Sequence, residues 1–377
     1  MILYVDSHDC ANCRDERAGV RRFARLAGWD CQFERAAGES AIRAAVARRR
    51  PDGLIVECSL HPNAYLPRTF GKVPVVYLDC RPGARANRIN VVTHDSEATG
   101  RRAAQELMKF GMDRYAYVGY HYRAYWSSLR ERGFVSEVRA AGHDVRVFRG
   151  SVKDLGIARM RSAIERWCEG IRPGTAVFAA NDEIGAIVLA VCGRRGLAVP
   201  KDVVVLGVDD DETVCARTEP SLSSLKVDFE RAGYLAAELM DDLMTGRSPA
   251  PVARRFCALG IVRRRSTGDS GGRSSPSMVR AAALIREQAV LGLTVREVVA
   301  STGLSPRLAE MRFRAMTGRS IQEEIMLTRF EQVFQMLRRG PVSHTVLADT
   351  CGFRSADTLR REFRRRTGMS ISDWCRK

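Results

Sequence analysis

Thr302-Gly303-Leu304-Ser305-Pro306 and Gly352-Phe353-Arg354-Ser355 are the two stretches on which the fold turns. Each stands between runs of helical periodicity: Leu293 to Ala300 and Arg307 to Thr317 around the first, Leu347 to Cys351 and Ala356 to Thr367 around the second. The spacings agree. Ser305 to Phe313 and Ser355 to Phe363 are both eight residues, and Ser305 to Gly318 and Ser355 to Gly368 are both thirteen. Gly303 and Gly352 permit the left-handed backbone that ends a helix abruptly, and Ser305 and Ser355 are residue types whose oxygens accept from the free amides of a following helix. Pro306 suits a first helical position. Val298 and Val299 before the turn, with Ala309 and Phe313 after it, would hold the two helices together.

Each copy therefore predicts helix, tight turn, helix. The outer face of the second helix is basic: Arg307, Arg312 and Arg314 in one copy, Arg360, Arg361, Arg364, Arg365 and Arg366 in the other. A helix-turn-helix has this arrangement, and its second helix enters the DNA major groove. Between the copies, Ile321 to Arg339 predicts one continuous helix, roughly 28 Å long at 1.5 Å per residue. Successive major-groove faces lie about 34 Å apart, so one chain could seat both motifs on one side of a duplex. The plainer alternative is a pair of helical hairpins with a solvated basic face; the repeat with matched spacing decides for DNA.

These residues resemble the AraC family: Gly303-Leu304-Ser305 with Phe313 and Thr317-Gly318, Arg329 with Leu337, then Leu347-Ala348, Gly352-Phe353, Ser355, Phe363 and Thr367-Gly368. The match covers roughly the last 100 residues. It departs at Ile371, where the family usually has proline, and at Val333, where it usually has alanine. By the family's pattern Arg307, Glu310 and Met311 in the first motif, and Asp357, Arg360 and Arg361 in the second, face the groove, with Ser355 counted among the DNA contacts. Arginine pairs with guanine and acidic side chains with cytosine, each good contact contributing roughly 1 to 3 kcal/mol of discrimination. Arg314, Arg364 and Arg365 are expected on phosphates, which position without specifying.

Charge placement agrees. The 377 residues carry a net charge of +17, and residues 277–377 hold 18 Lys and Arg against 10 Asp and Glu. A basic excess of this kind is the footprint of a polyanion, although the arginine bias runs through the whole chain. No apolar stretch approaches the ~20 residues of a membrane span. Met1-Ile2-Leu3-Tyr4-Val5-Asp6 lacks a basic lead and a cleavage site, so it is expected to be a strand, and the protein to be cytoplasmic. The 11 cysteines form no framework, as in a reducing compartment. Cys10-Ala11-Asn12-Cys13, with His8 close by, is the one pair at ligand or redox spacing; without the second pair a structural zinc site needs, it is taken as two ordinary cysteines at a strand end.

Residues 1–262 alternate short apolar runs with helical patterns. Strands are expected at Ile2 to Asp6, Gly53 to Cys58, Val73 to Leu78, Ile89 to Val92, Tyr115 to Tyr120, Val145 to Phe148, Ala176 to Ala179 and Val203 to Val208. Such alternation implies parallel sheets covered by helices on both faces, which bind small ligands at the carboxyl ends of their strands. Those ends are polar here: Asp6-Ser7-His8, Glu57-Cys58, Asp79, Gly119-Tyr120-His121, Asn181-Asp182 and Asp209-Asp210-Asp211. Carboxylates and amides with an arginine such as Arg130 suit a polyhydroxylated ligand, because each hydroxyl both donates and accepts. Taken singly, each Asp or Asn is as well explained as a turn or cap residue.

Trp126 to Phe134, Asn181-Asp182-Glu183, Leu206-Gly207-Val208-Asp209-Asp210 and Pro220 to Leu225 resemble the effector domain of LacI-type repressors, a periplasmic-binding-protein fold. That resemblance covers about residues 1–262 and implies that Asp79, Arg130, Asn181 and Asp209 line an effector cleft; Trp126 is expected to stack on a sugar face, with a core tryptophan near a helix start as the equal alternative. Asp95 is expected instead to be a helix N-cap. LacI-type chains begin with DNA-binding helices, whereas here the duplicated motif stands at the other end.

The expected architecture is thus a two-lobed, doubly wound α/β domain over residues 1–262, a basic Gly/Ser linker over 263–276, and an all-α domain with two helix-turn-helix motifs over 277–377. The expected function is a transcription regulator whose DNA binding follows a small effector, a sugar such as a pentose. Its partners would be double-stranded DNA, the effector, a second copy of the chain and RNA polymerase, with no cofactor, catalytic residue, metal or membrane. Two other classes compete. A transport component would need export and has no use for the duplicated motif; a carbohydrate-acting enzyme would need a paired acid and base, and Asp209-Asp210-Asp211 offers carboxylates without a geometry.

Overall fold

The computed structural model describes every residue except 9, 60–66, 81–88, 121–123, 151–156, 248–250, 269–275, 318, 368 and 377. Gly318, Gly368, His121 and residues 269–275, half of the expected linker, therefore lie outside the described residues. The chain forms two compact units, Met1–Gly271 and Gly272–Lys377.

The first unit is built on two six-stranded sheets. One contains β1 (Ile2–Asp6), β2 (Cys31–Arg35), β3 (Gly53–Glu57), β4 (Val75–Leu78) and β5 (Asn90–His94); the other contains β6 (Arg114–Val118), β7 (Val145–Phe148), β8 (Thr175–Ala179), β9 (Val203–Asp209) and β10 (Ser223–Val227). The chain then returns to the first sheet with β11 (Ala253–Phe256) and ends in the second with β12 (Ala258–Val262). Strand orders are β11-β5-β4-β3-β1-β2 and β12-β10-β9-β8-β6-β7, every pairing parallel except β10 with β12. The long apolar runs of β1, β3, β4, β8 and β9 are buried throughout or nearly so, as strands covered on both faces must be.

Helices α1 (Ala11–Ala27), α2 (Glu39–Arg49), α3 (Ser96–Met108), α4 (Tyr125–Ala140), α5 (Ile157–Cys168), α6 (Asp182–Arg194), α7 (Glu212–Cys215) and α8 (Phe229–Met244) cover the sheets. Asp95 caps α3, accepting from the Ala98 amide at 3.0 Å. Helices α3 and α4 cross closely because each has glycine at the contact: a Cβ on Gly100 would run into the Arg130 carbonyl, and one on Gly133 into the Glu97 carbonyl. That crossing fixes where Arg130 stands.

Sequence periodicity missed β2, β10, β11 and β12. β2 ends in Glu34-Arg35 and β11 carries two arginines in its four residues, so both lack the apolar signature; β12, Ala258 to Val262, is apolar but only partly buried. The start of the linker is also corrected. Ser266 and Thr267 are fully buried, Ser266 Oγ donates to the Val205 carbonyl at 2.7 Å, and Arg264 pairs with Asp210 at 2.7 Å, so residues 263–267 finish the first unit. They read as linker only because the glycine- and serine-rich stretch follows them directly.

The second unit comprises α9 (Pro276–Gln288), α10 (Val295–Thr302), α11 (Pro306–Thr317), α12 (Ile321–Arg339), α13 (His344–Thr350), α14 (Ala356–Thr367) and α15 (Ile371–Arg376). Its apolar side chains fall into two clusters, one around Phe313 with Val298, Ala309, Ile321 and Ile325, the other around Phe363 with Phe330, Val333, Leu359 and Ile371. Val333 and Ile371, the two departures from the AraC pattern, are both core residues.

Candidate functional site: an effector cleft and two DNA-facing helices

The carboxyl ends of β1, β3, β4, β6, β8 and β9 converge on a cleft between the two sheets, with about 830 Å³ of empty space. All five residues expected to contact an effector line it: Asp79, Trp126, Arg130, Asn181 and Asp209. Arg130 is buried on its floor. It donates to the Ala180 carbonyl, pairs with Asp209 Oδ1 at 3.2 Å and stands 4.7 Å from the centre of the Trp126 ring. Its Nε has no hydrogen-bond partner among the described residues, leaving one donor in the cleft unsatisfied.

Asp79 sits at φ 46°, a left-handed backbone that turns its carboxylate back on the sheet, where it accepts from the His94 amide at 3.1 Å and the Tyr125 hydroxyl at 2.8 Å. Burial raises its pKa, with those hydrogen bonds and Arg130 opposing. Asp209 is at φ 106°. Burial pushes its carboxyl up to about 6, against the Arg130 charge and a hydrogen bond from the Asn12 amide at 3.3 Å. Asn181 spends its side-chain oxygen on the Ile184 amide, capping α6, which leaves its NH₂ for a ligand. Trp126 stacks on Tyr120 with ring centroids 5.3 Å apart, so it reaches the cleft as half of an aromatic pair. Strand-end reasoning missed Asn12, Glu16 and Val214, which also line the cleft. Asn12 and Glu16 are one helical turn apart on α1, the one signal that could have found them.

In the second unit the two copies share their internal contacts. Gly303 is left-handed at φ 66°, its amide donating to the Ala300 carbonyl; Gly352 is left-handed at φ 73°. Thr317 Oγ1 donates to the Phe313 carbonyl at 2.9 Å and accepts from the Arg319 amide at 3.2 Å; Thr367 repeats this with the Phe363 carbonyl at 2.9 Å and the Met369 amide at 3.3 Å. Ser320 then caps α12 and Ser370 accepts from the Asp373 amide at 3.1 Å. The repeat thus runs past the closing glycines into the next helix, with Ile321 and Ile371 buried at equivalent positions.

On the outer faces Arg307, Met311 and Arg314 of α11, and Asp357, Arg360, Arg361, Arg364 and Arg365 of α14, are exposed. Ser355 caps α14 through its hydroxyl, accepting from the Thr358 amide at 3.2 Å. Glu310 departs from the expectation. It is half-buried and accepts from the Ile321 amide at 3.3 Å, tying α11 to the start of α12 instead of facing outward. Several exposed arginines hold local partners: Arg360 with Asp357, Arg365 with Glu362 at 2.6 Å, Arg361 with Glu362 at 3.8 Å. Exposed pairs of this kind contribute about 0 to 1 kcal/mol, so a phosphate or base edge can displace them.

Residues 104–267 match the periplasmic binding protein-like domain and residues 298–377 a helix-turn-helix domain. The xylose operon regulatory protein of Escherichia coli strain K12 is 25% identical over 271 residues, 71% of this chain and 69% of that protein. The HTH-type transcriptional regulator CelR of Thermobifida fusca is 32% identical over 233 residues, 59% of this chain and 66% of that one. Among solved structures, the xylose-binding transcription activator xylR covers 99% of this chain and 97% of its own at 21% identity and TM-score 0.59. A CelR–cellobiose complex covers 70% and 84% at 26% identity and TM-score 0.60.

Proposed function

Because the chain joins a periplasmic-binding-protein-like domain to an AraC-type helix-turn-helix domain and is homologous to the xylose operon regulators, we propose that it is a cytoplasmic, sugar-responsive transcription regulator that acts as a dimer. The observation that carries this is the pairing in one chain of a polar interlobe cleft with two equivalent helix-turn-helix frames. A sugar hydroxyl can accept from Arg130 and donate to Asp209 or Asp79, while the Trp126–Tyr120 pair offers an apolar wall to a pyranose face. Bound between the sheets, the sugar favours a closed cleft. It can shift the DNA-binding equilibrium only by the difference in its affinity for the two states.

On the DNA side Arg307 and Met311 of α11, and Asp357, Arg360 and Arg361 of α14, are assigned to base edges. Arg314, Arg364 and Arg365 are assigned to phosphates, Ser355 to the turn that orients α14, and Glu310 to the frame. RNA polymerase would be the partner if the outcome is activation.

The test has two arms on the full chain. A thermal-shift panel of pentoses and hexoses, with D-xylose and cellobiose included, is expected to raise the melting temperature with at least one sugar. Binding-site selection is expected to recover a motif with two half-elements about one helical turn apart. A panel without any shift removes the sugar, and selection that enriches nothing removes the regulator.

A further inference from the structure

The cleft also carries a donor set that the sugar contacts proposed above do not include. His8, Cys10 and Cys13 bring one donor atom each to within 4.8 Å of one another. Cys10 and Cys13 occupy the N-cap and the third residue of α1, so one helical turn aims both sulfurs the same way, with Sγ to Sγ 3.1 Å. His8 Nε2 is 3.8 Å from Cys13 Sγ. A second feature points at the same spot. Glu57, at the end of β3, is 2% exposed; its Oε1 accepts from the Ser59 amide at 2.6 Å, while its Oε2 has no hydrogen bond among the described residues and lies 3.8 Å from His8 Nδ1.

We propose that this corner of the cleft is a binding site for a thiophilic divalent cation, zinc by its donor set, held by His8 Nε2, Cys10 and Cys13, with Glu57 on the Nδ1 side of the imidazole orienting it and the fourth position left to water. Tetrahedral zinc has Zn–S near 2.3 Å and Zn–N near 2.0 Å, which sets donors about 3.6 to 3.8 Å apart; the 3.8 Å between His8 Nε2 and Cys13 Sγ fits, while the 3.1 Å between the two sulfurs must widen on binding. Two sulfurs and an imidazole exclude magnesium and calcium, which take oxygen ligands. On binding, the two thiols lose their protons to solvent, so the site neutralises the ion with two thiolates. Acidic side chains outnumber basic ones around it; burial raises the pKa of Glu16 and Asp182 well above the ordinary carboxyl value and that of Glu57 to about 7, and a bound cation would draw Glu57 into its ionised form. The same turn of α1 carries Asn12, whose amide reaches Asp209 in the other lobe at 3.3 Å. An ion there stiffens the turn that links the lobes and makes the chain respond to metal as well as to its small ligand. The site stands on its own donors and does not depend on the sugar.

The test is a titration of the full chain, freed of metal by chelator and kept reduced, with Co²⁺ and then Zn²⁺. One equivalent of Co²⁺ is expected to give a thiolate-to-cobalt charge-transfer band and the intense visible bands of a tetrahedral site, both abolished by Zn²⁺. Cys10→Ser and Cys13→Ser should each remove the band, Glu57→Gln should weaken binding at least tenfold, and Cys375→Ser, in the other unit, should leave everything unchanged. No band from the reduced chain overturns the proposal. So does a band that survives Cys10→Ser and Cys13→Ser with the circular dichroism of the parent, which would place the metal on other thiols. Thiol counting that finds Cys10 and Cys13 joined in a disulfide under the reductant makes the pair a redox couple and equally rejects the metal.

Discussion

In the cleft, Arg130 is 3% exposed, its partner Asp209 is also held by the Asn12 amide, and nearby Asp79 is held by the His94 backbone amide and the Tyr125 hydroxyl; on α14, the Arg361 side chain is 74% exposed and its nearest carboxylate is 3.8 Å away. Both regions are read here as binding surfaces built on arginine, but the cost of the charge differs. A buried charge must be satisfied before any ligand arrives, so the cleft's polar residues also belong to the fold. An exposed one is satisfied by water and can be spent entirely on DNA. Residue changes should therefore alter stability and binding together in the cleft, and binding alone on the helices.

The sharpest way to break that contrast is Arg130→Ala. Removing one partner of a buried pair leaves Asp209 uncompensated, with an expected loss of roughly 3 to 5 kcal/mol of unfolding free energy together with the sugar response. A denaturant melt that is unchanged would show that the pair does not support the fold. Arg361→Ala is the counterpart. It should cost about 1 to 3 kcal/mol of binding to the selected site, relax preference at one base pair and leave the melt alone. Recovery of the same site by selection with this variant would take Arg361 off the base edge.

Acid offers a third comparison. Burial holds Asp209 at about 6, above its ordinary value, so it is ionised at neutral pH and protonated below about 6. Because the folded form binds that proton more tightly than the unfolded chain does, this group's contribution to stability falls as pH rises from about 4 to 6 and is flat above. Sugar affinity should move the other way, declining up to about tenfold per unit as pH drops below 6, since the ionised carboxylate is the better acceptor. Calorimetric titration across that range checks it; a flat profile would mean the ligand does not meet Asp209. The smallest effects compare the two helical repeats. Thr317→Val and Thr367→Val each remove the same pair of hydrogen bonds and should each destabilise the second unit by about 0.5 to 1.5 kcal/mol; a large inequality between them would mean the frames are not equivalent.

Local features were legible in the residues. The bounds of α12 follow from its periodicity, and the turns at Gly303 and Gly352 follow from glycine, because caps and left-handed turns depend on a few neighbouring side chains. The five cleft residues came from strand ends and family likeness, and the strand ends together with α4 bring them to one cleft. What escaped was decided at long range. Residues 263–267 run directly into a Gly/Ser stretch but are fixed by Ser223, Val205 and Asp210. Glu310 carries a groove-facing position in the family's pattern, yet the Ile321 amide eleven residues on claims it. Cys10, Cys13 and His8 look like a lone pair at a strand end until Glu57, from β3, is placed beside them.

The central claim is that the tandem helices distinguish one DNA sequence from others. The direct measurement is the affinity of the full chain for its selected site against that for a random duplex of equal length, by fluorescence anisotropy at physiological salt. The expected ratio is at least about 10³. A ratio near one, with both affinities falling alike as salt is raised, would reduce the second unit to a basic surface and contradict it.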